Sequence, residues 1–423
     1  MKYIVRPSGL GGAVNVPGSK SHTIRALVFG LLGEGESVIG HPLVSSDTRS
    51  CLEMVRAFGA RVEEDGAAWR VTGTGGTPAV PENIVDVGNS GTSLYIGLGV
   101  AALADGTTVF TGDRQIRSRP AGGLIACINQ LGGAAFSTRG NDMPPVVVRG
   151  RITGGATEIS AVTSQYLTSL LIAAPLADRD TRITVPLLNE KPYVTMTLGW
   201  LERLGIRYTN NNYGSFDVPG RQRYPSFNGE IAADFSSATF FLVAAAVTGS
   251  PVTLRGLDWG DTQGDREVVT ILKNMGASID IGDREITVKG GALRGGTFDL
   301  NAMPDALPAL SVAGCFAEGE TRLVNVPQAR LKETDRIAVM RVELEKMGAD
   351  IRELPDGLVI RKSDLRGNRV SGRHDHRVVM ALAVAGLAAR GDTIIDTAEA
   401  VSVTFPDFRG LMRSIGADIT ETE

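Results

Sequence analysis

The chain has 423 residues, 43% of them hydrophobic, enough for two or three well-packed domains, so disorder is excluded as the default state. Its 43 Lys and Arg against 47 Asp and Glu leave a net charge of −4, without the basic excess that a nucleic-acid partner demands. The opening Met1-Lys2-Tyr3-Ile4-Val5-Arg6-Pro7 has no signal-like apolar core, and apolar runs such as 240–247 fall short of the ~20 residues that span a bilayer, which predicts a cytoplasmic protein with no membrane contact.

In chain order, an apolar-periodic run closed by a large apolar residue and Gly recurs six times: Phe58-Gly59-Ala60, Leu131-Gly132-Gly133, Leu204-Gly205-Ile206, Met275-Gly276-Ala277, Met347-Gly348-Ala349 and Ile415-Gly416-Ala417. The spacing is about 70 residues, and each Gly precedes a strand-like segment. A helix that stops on a residue able to take positive φ and turns straight into a strand explains the pattern. Upstream lie further strands and Ala/Leu/Val-rich helices over 90–103, 164–176 and 237–247, which have no polar face and belong inside their lobes. The repeat reads as βαβαββ. A seam near 229–234, after the polar stretch 210–228, divides the six copies three and three. The first ~19 residues are short of a unit and the last unit lacks its final strands, so the N-terminal strand is expected to complete the C-terminal lobe. The expected division is 1–19 with 234–423 as one discontinuous lobe and 20–233 as an inserted lobe, with a hinge near 20 and 231–234. Cys51, Cys127 and Cys315 lie far apart in apolar helical surroundings and read as buried thiols, not as metal ligands.

Several helix starts break a local rule. A cation stands in the first turn, where the macrodipole already presents positive charge, in Ser19-Lys20-Ser21-His22-Thr23-Ile24-Arg25, Lys332-Glu333-Thr334-Asp335-Arg336 and His374-Asp375-His376-Arg377. Hydroxyl and amide residues open others, at Asn89-Ser90-Gly91-Thr92 and Thr163-Ser164-Gln165, where unpaired N–H groups can receive phosphate or carboxylate oxygens or serve as plain caps. A slightly acidic chain that gathers Lys20, Arg25, Arg119, Lys332, Arg336 and Arg377 at such points is built to hold small, multiply charged anions. Asp305, in Met303-Pro304-Asp305-Ala306, and Glu333 stand among these cations, either as a cap and a first-turn charge or as a pair of acid–base groups.

The segments Val16-Pro17-Gly18-Ser19-Lys20-Ser21, Gly88-Asn89-Ser90-Gly91-Thr92, Thr111-Gly112-Asp113 through Arg119-Pro120, Ser164-Gln165-Tyr166, Lys191-Pro192-Tyr193, Pro304-Asp305, Arg330-Leu331-Lys332-Glu333-Thr334-Asp335-Arg336, Asp375-His376-Arg377 and Phe405-Pro406 occur in the order found in EPSP synthases, which the chain resembles over nearly its whole length. The resemblance implies an α/β (α+β) enolpyruvyl transferase fold of two lobes, each of three βαβαββ repeats, with the active site in the interlobe cleft. It implies that the enolpyruvyl group of phosphoenolpyruvate passes to the 5-hydroxyl of shikimate 3-phosphate. The hydroxyl adds to C2 while C3 takes a proton, and phosphate then leaves the tetrahedral intermediate. The resemblance makes Asp305 the base, Glu333 the acid and Lys20 an assistant to either step. It assigns Lys20, Ser21, Arg25, Thr163, Ser164, Gln165, Tyr193, Asp305, Gln328 and Lys332 to shikimate 3-phosphate. To phosphoenolpyruvate it assigns Lys20, Asn89, Gly91, Thr92, Arg119, Gln165, Glu333, Arg336, His376 and Arg377. No metal or organic cofactor is implied, and the family is usually monomeric.

Three positions depart from the family pattern. Tyr95 stands where Arg is common, Glu190 where Ser is common and Val403 where Lys is common. Glu190 brings negative charge toward the expected phosphate unless its side chain turns away or pairs with Lys191. Two alternatives remain. One is the UDP-N-acetylglucosamine enolpyruvyl transferase, which usually has a catalytic Cys, sometimes Asp, in the loop that reads Gly112-Asp113-Arg114-Gln115-Ile116-Arg117-Ser118-Arg119-Pro120 here, where Asp113 belongs to the Gly-Asp pattern of EPSP synthases. The other is a non-catalytic anion-binding homologue.

Overall fold

The glycine that closes each repeat does so for a backbone reason. In the computed structural model, which describes all residues from Met1 to Glu423, Gly59, Gly132, Gly205, Gly276, Gly348 and Gly416 have φ between +70° and +106°. The residue after each donates its amide to the carbonyl five positions back, as Ala60 does to Val55 at 3.0 Å and Ala417 to Met412 at 3.1 Å. These two features make a helix-ending turn that a side chain would strain, and they point the chain into the next strand.

Six four-stranded sheets follow, all with one strand order. In Thr297–Asp299, Glu320–Val324, Gly357–Arg361 and Asp350–Leu354 the first pair is parallel and the others antiparallel. The helix Leu307–Phe316 makes the parallel crossover and Arg336–Lys346 precedes the closing hairpin, which is the βαβαββ unit. The fold is mixed α/β.

The chain falls into two compact units, Met1–Pro17 with Ala232–Glu423, and Gly18–Ile231, each holding three of these sheets. In the first unit the N-terminal strand Lys2–Arg6 lies between Thr393–Asp396 and Asp418–Thr422, antiparallel to both, with Tyr3 opposite Ile395 and Glu421. The last repeat has a final strand of its own, Asp418–Thr422, and borrows only its partner from the N-terminus. Gly12–Asn15 pairs in parallel with Val252–Arg255, so one repeat is interrupted by the whole of the other unit. Within the second unit Asn228–Glu230 returns to pair with Glu36–Gly40.

Each unit is built around three helices buried on nearly every side: Lys20–Leu32, Gly91–Ala101 and Ser164–Ala173 in one, and Phe235–Thr248, Leu307–Phe316 and His376–Ala388 in the other. Their mostly apolar surfaces belong in the interior. Functional residues can therefore stand only at their ends. The three thiols are buried in helices, and burial pushes Cys51 and Cys315 up to about 12, far from the thiolate form that reacts at neutral pH. No helix is long and apolar enough to cross a membrane.

Deleting residues 1–6 removes a strand bonded on both sides. The expected outcome is loss of cooperative thermal unfolding in the unit that contains 232–423, read by calorimetry, with the transition of the other unit retained.

Candidate active site

In the unit Gly18–Ile231, Ser19 caps the helix Lys20–Leu32, and no acid stands in its first turn. Lys20 instead reaches across to Asp47, Nζ to Oδ2 at 3.0 Å, and Asp47 is buried in the first turn of the helix Ser46–Ala57, where the macrodipole favours an anion. Ser21 offers its carbonyl to Arg25 Nη1 at 3.0 Å. Arg25 is 2% exposed, and its other bonds end on Tyr193 O and Thr197 Oγ1, both at 2.9 Å, and on Thr168 Oγ1 at 3.4 Å. Burial lowers its pKa to about 10, which still leaves it protonated at neutral pH. A full positive charge is thus held inside by neutral oxygens alone.

The helix Gly91–Ala101 starts against Arg119. A Cβ at position 91 would collide with the Arg119 guanidinium, so the Gly is what admits that side chain. Ser90 caps the helix, Thr92 is buried in its first turn, and Asn89 Nδ2 donates to Asp113 Oδ2 at 2.6 Å and to Gln115 Oε1. Tyr95 is buried edge-on to Tyr166, with ring centroids 5.0 Å apart, and both hydroxyls donate to the carbonyl of Pro120. At this position the chain builds a neutral aromatic bracket.

The start of the helix Ser164–Ala173 differs from the expectation. Glu190 neither turns away nor pairs with Lys191, whose Nζ lies 4.1 Å from the Tyr213 ring centre. Its carboxylate turns inward, and one oxygen, Oε2, accepts from Ser164 Oγ at 2.8 Å, Ser164 N at 3.1 Å and Thr163 Oγ1 at 3.2 Å. Glu190 is buried and has φ +57°, a conformation that costs a non-glycine residue roughly 1–2 kcal/mol. Gln165 Oε1 is buried and accepts no hydrogen bond.

In the unit Met1–Pro17 with Ala232–Glu423, one guanidinium organises the cluster. Arg336 is 1% exposed and donates from Nε to Asp375 Oδ2 at 2.9 Å, from Nη1 to Asp305 Oδ1 at 2.7 Å, and from Nη2 to Glu333 Oε2 at 2.5 Å and Asp375 Oδ1 at 3.2 Å. Burial alone would lower its pKa, but the charges of Asp375, Glu333 and Asp305 raise it above the usual guanidinium value. Asp305 also meets Arg377 Nη2 at 3.0 Å and Lys332 Nζ at 4.0 Å. Three cations and three acids therefore share one network. Gln328 donates from Nε2 to Asn301 O at 3.0 Å, while its buried Oε1 accepts no hydrogen bond. His376 is buried in the first turn of the helix His376–Ala388.

Two expectations need correction. Lys332 and Glu333 are not in a helical first turn, because Asp335 caps the helix Arg336–Lys346 by accepting from Ala338 N, and this leaves them in the bend before it. Asp305 lies in the single turn Pro304–Ala306 that leads into its helix and makes no cap bond to it. Sequence reasoning also passed over Asp47 and Asp375, the buried anchors of Lys20 and Arg336. The available signal was an acid at the edge of a helix start, which is indistinguishable from an ordinary cap. Val403 ends the turn Ala398–Val403 beside buried Phe405.

A family model described as EPSP synthase (3-phosphoshikimate 1-carboxyvinyltransferase) matches residues 4–412. The chain belongs to the EPSP synthase family. A curated 3-phosphoshikimate 1-carboxyvinyltransferase from Acetivibrio thermocellus is 57% identical over 419 residues, covering 99% of each chain, and one from Ruminiclostridium cellulolyticum is 55% identical over 98% of each. The solved EPSP synthase from Acinetobacter baumannii superposes with a TM-score of 0.83 at 27% identity, covering 99% of this chain and 100% of that one. EPSP synthases thus share this fold with the chain from end to end.

Asp375→Ala removes the acid that holds Arg336 by two bonds. A loss of about 3–5 kcal/mol is expected in urea unfolding, because a buried guanidinium would be left short of charge.

Proposed function

We propose that the protein transfers the enolpyruvyl group of phosphoenolpyruvate to the 5-hydroxyl of shikimate 3-phosphate and releases phosphate, with Asp305 as base, Glu333 as acid and Lys20 assisting. The geometry that supports these roles is that Asp305 and Glu333 are bound to the same guanidinium, that of Arg336, and so lie within reach of one small substrate. In the addition step the acceptor oxygen bonds to C2 and yields its proton toward Asp305, while C3 takes a proton from Glu333. In the elimination step C3 returns a proton, the C2–O bond to phosphate breaks, and the double bond reforms. Lys332 and Arg377, already gathered around Asp305, are suited to offset charge on the departing phosphate.

In this reading Lys20, Ser21, Arg25, Thr163, Ser164, Gln165, Tyr193, Asp305, Gln328 and Lys332 hold the acceptor. The buried charge of Arg25, bonded only to neutral oxygens, is the strongest support for an anion there. The idle acceptor atoms of Gln165 and Gln328 suit hydroxyl or ammonium donors. Lys20, Asn89, Gly91, Thr92, Arg119, Gln165, Glu333, Arg336, His376 and Arg377 hold phosphoenolpyruvate. Arg336 gives four of its five N–H groups to Asp375, Asp305 and Glu333, so it meets the substrate carboxylate through the remaining N–H on Nη1 or by exchanging an acid for it. We further propose that the enzyme is a cytoplasmic monomer. The nucleotide-sugar acceptor draws no support from the relatives, which are named for 3-phosphoshikimate.

Phosphate release should follow from mixing the protein with phosphoenolpyruvate and shikimate 3-phosphate, and not with UDP-N-acetylglucosamine. Asp305→Ala and Glu333→Ala should each lower kcat about 10²–10⁴-fold. Full activity in either variant would remove that residue from the chemistry.

A further inference from the structure

Glu190 is a buried carboxylate that the reaction does not use, and it sits on Thr163 and Ser164, which the functional reading assigns to the phosphorylated acceptor. From the arrangement of Glu190, Thr163 and Ser164, and resting on that reading, we infer that the Glu190 carboxylate is an internal competitor for the acceptor's phosphate. It occupies the start of the helix Ser164–Ala173 in the free protein and has to be displaced when the acceptor binds.

Three features support the competition. First, three bonds converge on one carboxylate oxygen, Oε2, which takes an amide and two hydroxyls, the set that a phosphate oxygen would take at a helix N-terminus. Two anions cannot share one set of donors, because each repels the other at hydrogen-bonding distance. Second, Glu190 has a left-handed backbone, which a non-glycine residue adopts only where the surroundings hold it. Third, Glu190 precedes the helix Lys191–Arg203 and makes no side-chain cap bond to it, so rotation of the side chain leaves that helix intact. Lys191, the adjacent cation, is engaged with the Tyr213 ring and does not neutralise the carboxylate. The resident anion keeps Thr163 and Ser164 oriented for an oxygen ligand, and it lowers the affinity for the phosphate that replaces it.

The test uses Glu190→Gln and Glu190→Ser in the full chain. Both should lower the KM for shikimate 3-phosphate at least fivefold while the KM for phosphoenolpyruvate stays within twofold. Inorganic phosphate should compete with the acceptor correspondingly better. An acceptor KM that is unchanged or higher in both variants, at unchanged thermal midpoints, would overturn the proposal and make Glu190 a fixed cap. If the substitutions lower the midpoint, the gain in midpoint on adding inorganic phosphate decides: larger than in the parent supports competition, equal or smaller refutes it. That binding measurement stands even if the parent releases no phosphate from the two substrates, an outcome that would defeat the functional reading instead.

Discussion

A guanidinium taken out of water costs several kcal/mol unless acids replace its hydration, and Arg336 meets that constraint with Asp375, Asp305 and Glu333 arranged around its plane. The rest of that site follows from the arrangement. The two proposed catalytic acids are held where a single planar cation can bond both, and Arg377 and Lys332 are drawn in by the charge of Asp305. The same rule operates on a smaller scale in the other unit, where Lys20 is met by Asp47. Arg25 is the exception. Its partners are neutral, and an exception of this kind is where an external anion gains most from binding.

The backbone makes these encounters possible. Six helix-ending glycines of positive φ return the chain into strands at regular intervals, and the resulting repeats bury their more apolar helices on nearly every side. A helix with no solvent face can present chemistry only at its ends. Lys20, Gly91, Ser164, His376 and Arg377 all lie in first turns of buried helices, and Asp305 lies just ahead of another. There, free amides and the macrodipole attract negative charge, which the protein supplies from its own side chains until a ligand competes. Glu190 at Ser164 and Asp47 beside Lys20 are both instances.

The glycine spacing, the apolar helices and the cations at helix starts were legible because each depends on local periodicity or on a residue type that breaks a local preference. The partners of those cations were not. Asp375 and Asp47 read as ordinary first-turn or cap acids. Lys332 and Glu333 read as helical because placing the cap at Asp335 is a choice between neighbouring acids that only hydrogen bonding settles. Glu190 was visible as a charge out of place. Its inward turn comes with a left-handed backbone that sequence pattern does not encode for Glu.

By itself the sequence determined the repeat, the family and the inventory of charged groups, since periodicity, glycine positions and motif order are properties of the chain read along its length. Tertiary structure alone decided which acid answers which cation. Asp375 lies 39 residues from Arg336, Glu190 lies 26 from Ser164, and the N-terminal strand pairs with residues more than 400 positions away. Such pairings are set by how buried helices pack and by the cost of leaving charge unpaired in the interior, and neither can be read from neighbours in sequence.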